Sequence, residues 1–88
     1  MKFRPDDRGR VAEMFSELAA ASREEPGCLS YNPHVVEGEP DTVVIYEQYR
    51  DQQAADAHRA SAHFKKYAVG GLYQLMLERE VENLTALV

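Results

Sequence analysis

The stretch HRASAHFKKY, residues 58–67, holds two of the chain's three histidines together with a phenylalanine and a tyrosine. Imidazole takes up and releases a proton near neutral pH, so His58 and His63 are the candidates for general acid–base catalysis. Phe64 and Tyr67, three residues apart, share one helical face and could pack on a core or wall an aromatic pocket. Tyr31, Asn32 and Tyr46, on two neighbouring predicted strands, could add hydroxyl and amide donors for a bound substrate.

Other chemistries are poorly served. His58 and His63 are five apart, which on one continuous helix turns them about 140° from each other. Two ligands on one helical face need a spacing of three or four, so no metal site is expected. Cys28 is the only cysteine, placed after a helix stop and at a strand start, where a small buried apolar residue is the ordinary occupant. The paired glycines Gly70 and Gly71 lie in a helical stretch, not after a strand, which excludes a phosphate-binding loop or dinucleotide fingerprint.

The elements that must position these residues can be read along the chain. MKF looks like the end of a strand entering the turn RPDD. From there Val11, Met14, Phe15, Leu18 and Ala19 form one apolar stripe of a helix, with Asp6 or Asp7 as its cap and Pro26-Gly27 as its stop. Residues 28–37 read as a strand with Leu29, Tyr31 and Val35 on one face and Ser30, Asn32 and His34 on the other. Pro33 cannot donate to a ladder, which makes this strand an edge or bulged there.

GEPD, 38–41, is turn chemistry, and TVVIYEQY, 42–49, is rich in β-branched and aromatic residues. A helix capped by Asp51 follows over 51–60. Ser61 caps a second helical piece that Gly70-Gly71 interrupts, LYQLM (72–76) adds one more turn, and EREVENLTALV (78–88) is a final strand. The order is β-α-β-β-α-β, an α+β, ferredoxin-like arrangement with an antiparallel sheet and both helical segments on one face.

Composition narrows the partners. At 88 residues the chain makes one domain, 1–88, whose core is thin. A net charge of −5, with no basic run, argues against nucleic acid or an anionic membrane surface. No apolar stretch approaches the roughly 20 residues of a membrane span, the N-terminus is no signal peptide, and one unpaired cysteine suits a reducing compartment. The expectation is a soluble, cytoplasmic protein whose sheet needs a second cover, most simply a second copy in a homodimer.

Three segments carry a family resemblance: EEPGCLSY (24–31), YEQY (46–49) and the run from Ala54 to Phe64 containing His58, Ser61 and His63. Together they resemble the antibiotic biosynthesis monooxygenase family, including small quinol monooxygenase-like proteins, over almost the whole chain. The resemblance implies a dimeric α+β barrel with a pocket between helices and sheet. It also implies a cofactor-independent oxidation of a small aromatic quinol or polyphenol by dioxygen, without flavin, haem or metal.

On that reading His58 or His63 accepts a proton, Tyr31, Asn32, Tyr46 and Tyr67 position the substrate, and Phe64 is an aromatic wall. Relatives also include haem-degrading enzymes, but their Trp at the place of His58 and haem-ligating His near Ala68 are absent here. A proton-shifting isomerase of a small carbonyl or phosphorylated sugar-like metabolite would use the same base. Only Arg59, Lys65 and Lys66 offer a phosphate clamp for it, and a non-catalytic dimeric binding or stress-response module is the third reading. Family members begin with a longer first strand, so here that strand is short or starts upstream of Met1.

Overall fold

In the computed structural model, which describes residues 1–88, a 3-10 turn over Pro5–Asp7 leads into helix α1, Arg8–Arg23. Strands β1, Cys28–Val36, and β2, Glu39–Tyr49, form an antiparallel hairpin. Helix α2, Gln52–Ala60, follows, then helix α3, a π-helical stretch over Phe64–Leu72 that ends in one α-helical turn, Tyr73–Leu75. The fold is α+β.

The apolar stripe of α1 does what its spacing predicts. Val11, Phe15, Leu18 and Ala19 are buried against Phe3, Tyr31, Val43, Ala68 and Leu72, so α1 and α3 cover one face of the hairpin. Each fully buried Leu or Phe contributes roughly 1.5–3 kcal/mol, and a thin core depends on a few of them. Asp7 makes no side-chain cap on α1. The residues PDD instead wind into the 3-10 turn, where proline's fixed φ suits the first position.

The hairpin turn is tighter than GEPD suggests. Val36 already pairs with Glu39, leaving Glu37 and Gly38 as the corner, and Gly38 takes φ +82°, a conformation that needs no Cβ. Strand β1 is an edge strand, as Pro33 requires. The register shifts fall at Cys28/Ser30 and Val35/Val36 and not at the proline.

Two expected strands are not formed. Residues 1–3 lie between β2 and 77–78, joined by Phe3 N–H to Asp41 O, Val43 N–H to Met1 O, Lys2 N–H to Glu78 O and Leu77 N–H to Lys2 O. Only Lys2 makes bridges, one to Thr42 and one to Glu78, so the sheet proper has two strands and not four. The strand expected over 78–88 is reduced to that single bridge. Its apolar residues Val81, Leu84, Leu87 and Val88 are all exposed and find nothing in the single chain to pack on.

The glycine pair does not interrupt α3 either. Widened winding carries the helix through Gly70-Gly71, and at Gly71 a Cβ would run into Met14 of α1. No helix is long and apolar enough to cross a membrane.

Candidate functional site

His58 stands near the end of α2 and is 2% exposed. Asp51 starts that helix as expected, its carboxylate accepting the Ala54 N–H at 2.8 Å. Ser61 ends it by leaving the helical conformation at ψ 153°, and its hydroxyl donates to His58 O at 2.6 Å. The same hydroxyl accepts Phe64 N–H at 3.2 Å, so one serine closes α2 and opens the next helical turns.

That break decides the geometry of the two histidines. Across a continuous helix they would diverge; across the Ser61 bend they converge, with ring centroids 6.1 Å apart. The point of convergence is Glu25. Its Oε2 accepts from His58 Nδ1 at 2.8 Å and from His63 Nε2 at 2.5 Å.

Glu25 is held by backbone on both sides. Its N–H reaches Ser22 O at the end of α1, and its carbonyl accepts Cys28 N–H at the start of β1. Gly27 then passes so close to α2 that a Cβ there would collide with Ala54, and its carbonyl accepts Arg50 N–H at 2.8 Å. Arg23 adds a tie from α1 to β1, donating to Tyr31 O at 3.0 Å and to Asn32 Oδ1 at 3.3 Å.

A second carboxylate lies behind His58. Glu47 Oε1 is 3.8 Å from His58 Nε2 and accepts the Tyr49 hydroxyl at 2.8 Å. The imidazole is thus flanked by two carboxylates and enclosed by rings: Tyr49 and Phe64 at 5.2 Å and Tyr31 at 5.6 Å between centroids. Burial pushes the phenols of Tyr31 and Tyr49 well above their usual range. Glu47 adds to both shifts, and in Tyr49 the hydrogen bond it accepts contributes as well. Burial, then Glu25 and Glu47, likewise raise the Cys28 thiol, which is the opposite of what an activated nucleophile needs.

The residues singled out in the sequence divide into two groups. His58, His63, Phe64 and Tyr31 are brought together, and Tyr67 packs against the core beside α1. Asn32 and Tyr46 are register partners that alternate with Tyr31 and Glu47 along the strands, so they occupy the opposite face of the hairpin. Tyr46 is half exposed there.

Sequence reasoning passed over Glu25, Glu47 and Tyr49 as site residues. The last two carry a signal, because positions 43, 45, 47 and 49 of β2 share the face that begins with buried Val43. Rings enclose His58, and two cavities lie elsewhere. One, of about 280 Å³, runs between α1 and the hairpin, lined by Val11, Phe15, Pro33 and Val43 among others. The other, about 380 Å³, lies along residues 42–45 and 78–82. The side of the histidine cluster open to solvent is His63, whose side chain is 21% exposed against 3% for His58.

The sequence profile of the family described as "Antibiotic biosynthesis monooxygenase" matches residues 1–69. A Mycobacterium tuberculosis protein named "Putative monooxygenase Rv0793" is 33% identical over 64 residues, covering 73% of this chain and 62% of that protein. "Putative monooxygenase YcnE" of Bacillus subtilis is 30% identical over 71 residues, covering 81% of this chain and 75% of its own length. This chain therefore spans less than two thirds of the Mycobacterium relative.

Among solved structures, a Bacteroides protein titled "Putative antibiotic biosynthesis monooxygenase" superposes with TM-score 0.90 at 30% identity, covering all of this chain and 84% of that one. A Pseudomonas aeruginosa protein gives TM-score 0.90 at 26% identity, covering all of this chain and 88% of that one. By its sequence and by the α+β fold it shares with these structures, the chain belongs to the antibiotic biosynthesis monooxygenase family.

Proposed function

We propose that this protein is a cofactor-independent monooxygenase of a small aromatic quinol or polyphenol, with His63 as the proton acceptor at the solvent side of the cluster. The observation that carries the reading is the convergence of both imidazoles on one Glu25 oxygen within an aromatic surround. With Nε2–H committed to Glu25, the Nδ1 lone pair of His63 is free to take a phenolic proton. Glu25 then stabilises the imidazolium that forms. Buried His58 fixes the other side of the carboxylate, and Phe64 supplies an aromatic wall.

Ground-state dioxygen is a triplet and does not react directly with a closed-shell molecule. A quinol anion passes it one electron, the radical pair combines into a carbon–oxygen bond, and the O–O bond then breaks with loss of water. His63 returns the proton to the departing oxygen. One quinol and one dioxygen thus give one hydroxyquinone and one water, with four electrons drawn from the organic ring. The protein needs no flavin, haem or metal for this; it removes a proton and holds the anion.

In the same reading the chain is a single domain that works in the cytoplasm as a homodimer, where a dimeric barrel would complete the four-stranded ferredoxin-like sheet. Exposed Val44 and Tyr46 on the outer hairpin face, and Val81, Leu84 and Leu87 beyond it, are the apolar surface a second copy would cover. Asn32 and Tyr46 then belong to that face and not to the base. Aerobic incubation with a panel of menadiol-type quinols under ¹⁸O₂ tests the function. One labelled oxygen atom in the product and one in water is expected; no oxygen consumption above the uncatalysed rate on any quinol would overturn it.

A further inference from the structure

The three atoms that meet at the Ser61 bend, His58 Nδ1, His63 Nε2 and Glu25 Oε2, all lie within 4.8 Å of one another. We infer that they form a binding site for one late first-row divalent metal ion, with Zn²⁺ as the probe. Two imidazoles and one carboxylate are a donor set for zinc and its neighbours. Calcium and magnesium prefer oxygen ligands throughout.

Three features of the geometry bear on the ion. Bonds of ~2.0–2.1 Å to a metal place neighbouring donors roughly 2.9–3.4 Å apart. The two nitrogens stand 2.8 and 2.5 Å from the shared oxygen and up to 4.8 Å from each other, so binding requires the oxygen to draw back by less than about 1 Å and the nitrogens to close by roughly 1.4–1.9 Å. The far nitrogen of His58 lies 3.8 Å from Glu47, itself held by the Tyr49 hydroxyl, so a carboxylate stands close to the outer-shell place that a metal-bound imidazole ordinarily hydrogen-bonds. Two carboxylates flank the cluster, and a divalent ion would balance their charge.

Access and rigidity fit as well. The three ligands come from the turn after α1, the end of α2 and the turn before α3, in segments tied by hydrogen bonds to backbone, and the cluster is most open at His63, less at Glu25 and closed at His58. Three protein ligands leave positions for water or another small ligand. Under the proposed oxidation, an ion on His63 Nε2 would leave the ring proton on Nδ1, the nitrogen that takes the phenolic proton, and so silence the base, making the metal an inhibitor. That consequence rests on the quinol reading; the binding itself does not.

Calorimetric titration of chelator-treated protein with ZnCl₂, without substrate, is the test. One Zn²⁺ per chain is expected, weakened by at least the ~10–100-fold that loss of a supporting group costs in both Glu25→Gln and His63→Gln, and unchanged in His34→Gln, which removes the exposed histidine outside the cluster. In the unmodified protein, Co²⁺ should shift the ring resonances of two of the three histidines, which needs no variant to fold. Absence of stoichiometric binding, binding indifferent to Glu25→Gln in a folded variant, or loss in His34→Gln would overturn the site. Metal binding without quinol oxidation would leave the site standing and remove only the inhibitor role.

Discussion

Glu25 does more than either histidine to define the site, because one of its oxygens accepts from both. Removing it would leave a fully buried imidazole without its partner, which costs about 1–3 kcal/mol. The ring environment makes a separate prediction. Tyr31 and Tyr49 have folded-state values raised above an unfolded phenol near pH 10. The stability they contribute is therefore full below about pH 10 and is lost as pH climbs toward the folded-state values. Urea melts should weaken steeply in that alkaline range, and Tyr49→Phe, which keeps the ring and drops the hydroxyl, should flatten the slope. An identical slope in the variant would contradict the assignment.

At the scale of elements, the site depends on two close approaches. Gly27 lets the Glu25 turn lie on α2, where a Cβ would strike the Ala54 Cβ. Gly27→Ala should cost about 1–3 kcal/mol in a denaturation curve and, by moving Glu25 away from His58, should lower activity beyond the loss of folded protein. Gly71→Ala meets only the flexible Met14 side chain and should cost clearly less. Equal costs would argue that the Gly27 contact is not rigid.

Much of this level was legible in the sequence. The stripe from Val11 to Ala19, the β-branched run from Thr42 and the Asp51 and Ser61 caps each had a local signal that tertiary structure did not override. The meeting of His58 and His63 was not legible from spacing, because the five-residue rule assumes a continuous helix and Ser61 breaks it. Glu25 was invisible as a partner for another reason. It lies 33 residues from His58, and only the packing of Gly27 on Ala54 brings them together. The π-helical winding of α3 carried no signal beyond glycines that read more naturally as a stop.

For the whole molecule, the unpaired stretch 79–88 and the exposed hairpin face are the two features a single chain leaves open. The sequence pattern gave the stretch a strand because its residues are apolar, but a strand needs a neighbour, and the chain alone offers only the bridge at Glu78. If a second copy provides the missing surface, sedimentation should give twice the chain mass, and deletion of 79–88 should shift the protein toward monomer with its helices intact. A monomer at all concentrations would remove the homodimer from the reading.

The central claim, that His63 backed by Glu25 is the proton acceptor of an oxidation, is tested most directly by oxygen-electrode rates for wild type and His63→Gln on one quinol, in chelator, with folding checked by circular dichroism. A fall of ~10²–10⁴-fold in kcat with little change in KM is predicted. A folded His63→Gln protein that consumes oxygen at the wild-type rate would contradict it.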